Sequence, residues 1–337
     1  MSQTEYKVEL ISSEIANLWT SYMNDTMLAC MLEVFLTNVE DQHIQSVIDS
    51  ALTISNVHIK KITTFFNEEQ LPIPDGFSLE RDVNKAAPRL FTDDFYIFLL
   101  QNLGKIGMEN YAYALSNSAR LDISEFYNEC LHESTKLYNK ASEVMLSKGL
   151  FIRAPYIPAP KAVEYVKDQG YLTGFFGKRR ALNVVEITNI YTHMIQNQLG
   201  RTVCMGFSQV AKSTQVRDYF IRGRAIGDKH VEIFGSILSE EFLPSASAWD
   251  TLPTDSTISP FSDKMLMVIK SGLNAAGIGH YGRSLGTSPR RDLGAQYARL
   301  IAEIGLYAED GANILIKNNW MEQIPQAPDR DQLANKE

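Results

Sequence analysis

The chain of 337 residues lacks long apolar runs, an excess of basic charge and cysteine pairs at motif spacing. No stretch approaches the roughly 20 apolar residues of a membrane-spanning helix, so we expect no membrane insertion. The formal net charge of −8 argues against nucleic acid as a partner, because phosphate contacts dominate that affinity. Three cysteines without a CxxC motif argue against a disulfide framework and for a reducing compartment.

Targeting and catalytic signatures are also scarce. The first residues, MSQTEYKVELISSE, have neither the basic segment nor the apolar segment of a signal peptide, so we expect a cytoplasmic protein. No nucleophile elbow, Walker loop, GxGxxG or HExxH motif occurs, and the chain has six histidines. These absences favour a protein without catalytic residues over an enzyme.

The strongest positive feature is an internal repeat. The segment SEIANLWT, which begins at Ser13, resembles VEITNIYT, which begins at Val185; the offset is 186 − 14 = 172. After a two-residue gap the offset becomes 261 − 91 = 170, and the match continues to the prolines near the end of each copy. A collinear match of this length predicts a tandem duplication.

Apolar residues at helical spacing predict four long helices in each copy. The predicted ranges are 12–38, 41–69, 92–119 and 122–148, then 183–212, 213–241, 262–288 and 290–319. The predicted N-caps are Thr92, Asp122, Ser262 and Asp292. We expect a first four-helix bundle over 1–150, a linker over 151–182, a second four-helix bundle over 183–322 and a C-terminal tail over 323–337.

The connection between the second and third helices of the first copy is long, whereas the other connections within that copy are tight. Residues 71–90 contain Pro, Gly and extended residues, and about 20 residues can span roughly 65 Å. Helices of about 27 residues are roughly 40 Å long, so the connection can return along the whole bundle. We therefore predict an all-α fold of two tandem ferritin-like four-helix bundles, with a simple up-and-down bundle as the alternative.

Counting residues from the predicted turns places three polar side chains at one level of each bundle. The layer consists of His58, Tyr111 and Glu133 in the first copy and of His230, Tyr281 and Glu303 in the second. Buried imidazoles and carboxylates need hydrogen-bonding partners. We therefore predict a structural polar layer in each bundle, which could also serve as a ligand site.

A metal site in the first copy is the alternative, because Glu129 and His132 form a Glu-x-x-His pair on one helix face. The candidate ligands for iron or manganese are His58, Glu109, Glu129, His132 and Glu133. This set is incomplete for a dinuclear site, and the second copy replaces Glu129 and His132 with Arg299 and Ala302. The sequence thus favours a polar layer without a cofactor.

Glycines line the third helix of each copy, and they are Gly104 and Gly107 in the first and Gly272, Gly277, Gly279, Gly282 and Gly286 in the second. Each glycine lowers helix stability by roughly 0.5–1 kcal/mol relative to alanine. Such a helix indicates close approach by another helix, for instance between the bundles. A ligand channel along the same groove is the alternative interpretation.

Several longer segments resemble a known family. They include LISSEIANLWTSYMND, LPIPDGF, APRLFTDDFY, KGLFIRAPYIP, GFFGKRRALN, DSTISPFSDKMLM and YAEDGANILIKNNWMEQIPQAPDR. Over nearly the whole chain the sequence resembles an uncharacterised tandem-repeat family of spore-forming Bacillus-type bacteria, often labelled as related to spore coat protein F. The resemblance implies a duplicated ferritin-like bundle and an association with the spore, but no defined activity.

Three functions remain open at this point. The first is a non-enzymatic structural or interaction protein linked to sporulation or stress, with a protein partner or self-association through the bundle surfaces. The second is a ferritin-like metal-binding or oxidant-handling protein with a partial site in the first bundle. The third is carriage of a small apolar ligand within a bundle.

Overall fold

A computed structural model describes residues 8–175, 179–245 and 249–335, and these ranges contain helices but no β-strand. The first half has helices α1 (Ser12–Asn38), α2 (Gln42–Glu68), α3 (Leu79–Asp82), α4 (Asp93–Ser116) and α5 (Leu121–Ser147). The second half has α6 (Val184–Val210), α7 (Thr214–Glu240), α8 (Asp263–Thr287), α9 (Arg291–Lys317) and the short α10 (Arg330–Ala334). The predicted all-α fold with an internal duplication is confirmed.

The eight long helices begin and end within three residues of the predicted positions. Two predicted N-caps occupy the cap position. The Ser262 side chain accepts a hydrogen bond from a backbone amide of α8, whereas Thr92 makes no capping bond with its side chain.

The predicted caps Asp122 and Asp292 were wrong. Helices α5 and α9 begin directly after Arg120 and Arg290, so both aspartates lie inside the first helical turn. Each aspartate binds the guanidinium of the arginine two residues before it, at 2.6 Å in both halves. The carboxylate therefore fixes the arginine at the junction instead of capping the helix.

In each half the chain returns along the bundle between the second and third long helices. The Asp93 carboxylate at the start of α4 accepts hydrogen bonds from the amides of Glu40 and Asp41, in the turn between α1 and α2. Asp263 makes the matching pair of bonds to the turn between α6 and α7. The third long helix therefore starts beside the first hairpin turn and runs parallel to the second long helix.

The two long connections meet each other where the halves join. The amide of Asn84 donates to the carbonyl of Pro260, and the amide of Thr254 donates to the carbonyl of Leu90, both at 2.9 Å. Since 254 − 170 = 84 and 260 − 170 = 90, each bond is the counterpart of the other under the repeat. Contacts that repeat in this reciprocal way have two-fold symmetry, so the halves meet like the subunits of a symmetric dimer.

A single apolar core continues across this joint. Phe91 of the first half packs against Phe207 of the second, and Phe98 stacks on Trp249 with ring centroids 4.3 Å apart. Gly206 makes room for the joint, because a Cβ atom there would lie 2.4 Å from the Phe91 ring. Burial of this aromatic surface holds the two halves together.

Candidate functional site

The structure brings the predicted polar layer of the first half together in the bundle interior. Nε2 of His58 on α2 donates a hydrogen bond to Oε2 of Glu133 on α5 at 2.7 Å. The hydroxyl oxygen of Tyr111 on α4 lies 3.4 Å from the other ring nitrogen of His58. That nitrogen also lies 3.3 Å from Oδ2 of Asp25 on α1, so each of the four long helices contributes one side chain.

In this first layer the His58 ring lies between the carboxyl groups of Asp25 and Glu133. Burial by itself lowers the pKa of His58, but contacts with Asp25, Cys130 and Glu133 outweigh it and raise that pKa to about 12. Burial raises the pKa of Asp25, while the hydrogen bond from His58 lowers the pKa of Glu133. The imidazolium thus forms an ion triad with Asp25 and Glu133, and the two ring nitrogens face opposite carboxylates.

The second half assembles the corresponding side chains without the buried anion. Nδ1 of His230 lies 3.1 Å from the Tyr281 hydroxyl, and Nε2 lies 3.2 Å from Glu303. Asn197, which aligns with Asp25, donates to the Tyr281 hydroxyl at 2.6 Å, and Lys229 binds the Glu303 carboxylate at 2.7 Å. Burial lowers the pKa of His230, so this layer is neutral around its imidazole.

Of the five predicted metal ligands, only His58 and Glu133 belong to the polar layer of the first half. Glu109 points to the other half, where its carboxylate lies 2.6 Å from Nε2 of His280. Glu129 is exposed and pairs with a lysine, and His132 is exposed as well. Within the described ranges, no group of three or more His, Cys, Asp or Glu side chains is arranged to hold a metal ion.

A cleft of about 650 Å³ lies between the two halves, with walls from α1 and α4 on one side and α6 and α8 on the other. One end is apolar, where aromatic side chains of the joint such as Phe91, Phe207 and Phe261 close it. The other end is polar and holds Asp25 and the pair of Glu109 with His280.

Along three helices the lining of the cleft changes from apolar to polar in the same direction in space, although α1 runs opposite to α4. On α1 the lining residues change from Asn17 and Asn24 to Met31 and Phe35. On α4 and α8 the apolar residues come first and the polar residues follow, as with Ile269 before Arg283 and with Phe95 before Asn110. Since the Glu109–His280 pair joins the polar ends of α4 and α8, the three gradients coincide.

Gly104 of α4 lies at a close approach to α5, in line with the prediction of tight helix packing, since a Cβ atom there would lie 3.0 Å from a backbone atom of α5. The glycines of α8 do not lie at such an approach, contrary to that prediction. A Cβ atom at any of these five glycines would meet no described atom within 4 Å. Gly272 and Gly279 instead line the cleft. The glycines of α8 were therefore the feature of the sequence that indicated the cleft. His280 gave no signal, because it aligns with Asn110 in the first copy.

The fold and these sites define a class: a duplicated all-helical protein with a buried polar layer in each half and a cleft between the halves. The family described as "Protein of unknown function (DUF3231)" matches residues 1–163 and 171–333, and the chain belongs to this family. No curated protein and no solved structure matches the chain. The links to the spore coat and to sporulation remain predictions from the resemblance.

Among the helices that the structure describes, none is both long enough and apolar enough to cross a bilayer.

Proposed function

We propose that this protein is a non-enzymatic binding protein of ferritin-like topology that holds an elongated amphipathic small molecule in the cleft between its halves. The observation that carries the proposal is the cleft itself, with a volume of about 650 Å³ and a polarity that changes along its length. Small-molecule sites in proteins typically have volumes of about 300–1,000 Å³, mostly apolar walls and a few convergent polar groups.

The apolar end supports binding of a hydrocarbon or aromatic portion. Phe91 and Phe95 stack with centroids 3.9 Å apart and present a large apolar surface to the cleft. Met31 and Phe35 of α1 extend this surface. Transfer of apolar ligand surface from water onto these side chains gives roughly 25 cal/mol per Å², which favours a ligand with an extended apolar part.

The polar end supports recognition of a head group. The Glu109–His280 pair crosses the cleft from one half to the other, and Arg283 lies one helical turn beyond His280 on α8. The imidazole hydrogen bond lowers the pKa of Glu109, so its carboxylate is ionised at neutral pH. A head group with both hydrogen-bond donors and acceptors would satisfy these side chains, and it would fix the orientation of the ligand.

The proposal is tested by filling the cleft from its glycine wall. Gly279→Phe places a ring in the cleft, whereas Gly286→Phe adds the same ring on the same helix outside the cleft lining. The probe is a dansylated long-chain fatty acid, whose fluorescence rises in an apolar site. We expect its dissociation constant to increase by about tenfold or more in Gly279→Phe, since occlusion of a packed site costs about 1–3 kcal/mol.

The Gly286→Phe variant serves as the control, and native mass spectrometry detects a bound molecule directly. Gly286→Phe should bind the probe within about twofold of the wild type, because its ring lies outside the cleft lining. Native mass spectrometry of freshly purified protein should show a small molecule bound to the wild type at higher occupancy than to Gly279→Phe. Equal probe binding by the two variants would contradict the proposal.

A further inference from the structure

A buried lysine in the second half lacks an acidic partner within the described ranges. Lys270 on α8 is 8% exposed. Among the residues that the structure describes, no carboxylate forms an ion pair with its Nζ atom, although the other lysine of the same helix, Lys264, does pair with carboxylates. The aligned residue in the first half is Leu100, which is fully buried in the apolar core. A lysine thus stands where the other copy has a core leucine.

The side chains around Lys270 differ from those of the first half in a coordinated way. The Tyr307 ring lies 5.5 Å from Nζ and stacks on Tyr219 with centroids 4.2 Å apart. Asn274, one turn after Lys270, donates to the Tyr219 hydroxyl at 3.2 Å. The aligned first-half residues are Leu137, Val47 and Gly104. The second copy has therefore exchanged a whole apolar patch for a polar one.

A cavity of about 70 Å³ adjoins this patch. Its walls include Lys270, Asn274 and Tyr307, together with Gly223 and Gly277, which keep the space open. A cavity needs about 10–15 Å³ by this measure to hold one water molecule. The space therefore suits several water molecules or one polar molecule of a few heavy atoms, and it is too small for the amphipathic ligand of the cleft.

Within the described part of the chain, the cavity wall carries one positive charge that no carboxylate neutralises, that of Lys270. Arg201 also lines the cavity, but its guanidinium pairs with Asp228 and Asp250, and His280 pairs with Glu109. The neighbouring hydroxyl and thiol groups supply no negative charge at neutral pH. Burial raises the pKa of Tyr219 to about 12, and it also raises the pKa values of Tyr307 and Cys204.

We propose that this cavity binds a small oxyanion, such as formate, nitrate or bicarbonate, on the Lys270 ammonium. A buried charge without a partner is costly, and an ammonium has three donors to offer to oxygen atoms. An oxyanion supplies both the missing charge and the acceptors, and charge-assisted hydrogen bonds of this kind are the stronger ones. The absence of a matching lysine in the first half restricts this site to the second half.

The test measures anion binding with and without the ammonium. Isothermal titration calorimetry and thermal melts are run with sodium formate, nitrate or bicarbonate at constant ionic strength, with gluconate as a reference anion too large for the cavity. At a hundredfold excess over the dissociation constant we expect the wild-type Tm to rise by about 3–5 °C. Lys270→Met should abolish the heat of binding and the rise in Tm.

A matched lysine variant and the melting temperature in gluconate serve as controls for this test. Lys264→Met removes a lysine of the same helix that pairs with Asp75, so its anion response should equal that of the wild type. In gluconate, Lys270→Met should melt at or above the wild-type temperature, since an apolar side chain replaces an uncompensated buried charge. A wild type without an anion response, or a Lys270→Met variant that responds like the wild type, would overturn the proposal.

Discussion

The two polar layers use the same three residue types, yet their imidazoles have opposite properties. His58 is protonated between Asp25 and Glu133, whereas burial lowers the pKa of His230. The main chemical difference is one position on the first helix of each half, where Asp25 aligns with Asn197. An amide in place of a carboxylate changes a buried ion triad into a neutral hydrogen-bonded layer.

The comparison shows how a duplicated scaffold tolerates different charges at one level. In the second half Lys229 binds Glu303, so this carboxylate keeps a counter-ion without the imidazole. A further buried imidazole, His193, stands where the first half has Ser21, and burial lowers the pKa of His193 to about 3. The second layer is therefore built from neutral groups in its interior, while its charge pair lies near the surface.

The largest expected effect comes from removing each imidazole. His58→Phe leaves the Asp25 carboxylate, which is 4% exposed, without its cation, and we expect a loss of about 3–5 kcal/mol in the free energy of unfolding. His230→Phe breaks hydrogen bonds but strands no charge, so we expect a loss of about 1–2 kcal/mol. Urea unfolding followed by far-UV circular dichroism measures both values. Equal losses would show that the two layers are electrostatically alike.

The next prediction concerns the sign of the pH dependence. The folded-state pKa of His58 lies above the unfolded value of about 6.5, so its contribution to stability is complete below that pH and is lost as pH rises. The folded-state pKa values of His230 and His193 lie below it, so their contributions are complete above that pH and are lost as pH falls. The two halves thus limit stability on opposite sides of about pH 6.5.

Exchanging the residue types at Asp25 and Asn197 should transfer the pH dependence of stability from one half to the other. Between pH 7 and 9 we expect the wild type to lose up to about 1.4 kcal/mol of unfolding free energy per pH unit through His58. Asp25→Asn should remove most of that slope, because it replaces the buried carboxylate with the amide that the second layer has at this position. Asn197→Asp should add a slope of the same sign in the second half. Subtracting the wild-type profile of unfolding free energy against pH from the variant profile removes the contributions of the other titrating groups. Parallel profiles would refute the assignment of the slope to His58.

The helices could be predicted from the sequence, and the structure brings together the side chains that the sequence assigns to each layer. Helix periodicity is a local property, so the eight long helices could be placed from apolar spacing, with the repeat as an internal check. The level of His58, Tyr111 and Glu133 followed from counting residues from the turns, because the rise per residue is constant. The residue that decides the charge of the layer, Asp25, was not part of the predicted layer.

The cleft and the contacts across it could not be predicted in the same way. They depend on how the two halves dock, and no local pattern encodes the pairing of Asn84 with Pro260 or of Glu109 with His280. The glycines of α8 indicated a special surface, but the same glycines are compatible with tight packing and with open space. Lys270 was overlooked because a single lysine in an amphipathic helix normally lies on the solvated face.

The smallest expected effect concerns the Glu-x-x-His pair of the first half. Glu129 forms an exposed ion pair with Lys61, and exposed pairs contribute about 0–1 kcal/mol. His132 is exposed too, so Glu129→Gln and His132→Ala should each change the free energy of unfolding by no more than about 0.5 kcal/mol. Neither variant should alter the iron or manganese content that elemental analysis finds after anaerobic loading.

The polar layer of the first half does not favour metal binding. A metal ion requires an unprotonated imidazole, whereas two carboxylates hold His58 as a cation. His58→Ala provides the contrast. If the loaded wild type bound about one metal ion per chain and His58→Ala lost it, the ion would replace the proton on one ring nitrogen of His58 and bind the carboxylate that faces that nitrogen. The charge difference between the two layers would then mark the first half as a metal site and the second as its inactive copy. If neither protein retains metal, the difference between the layers is one of stability and pH response.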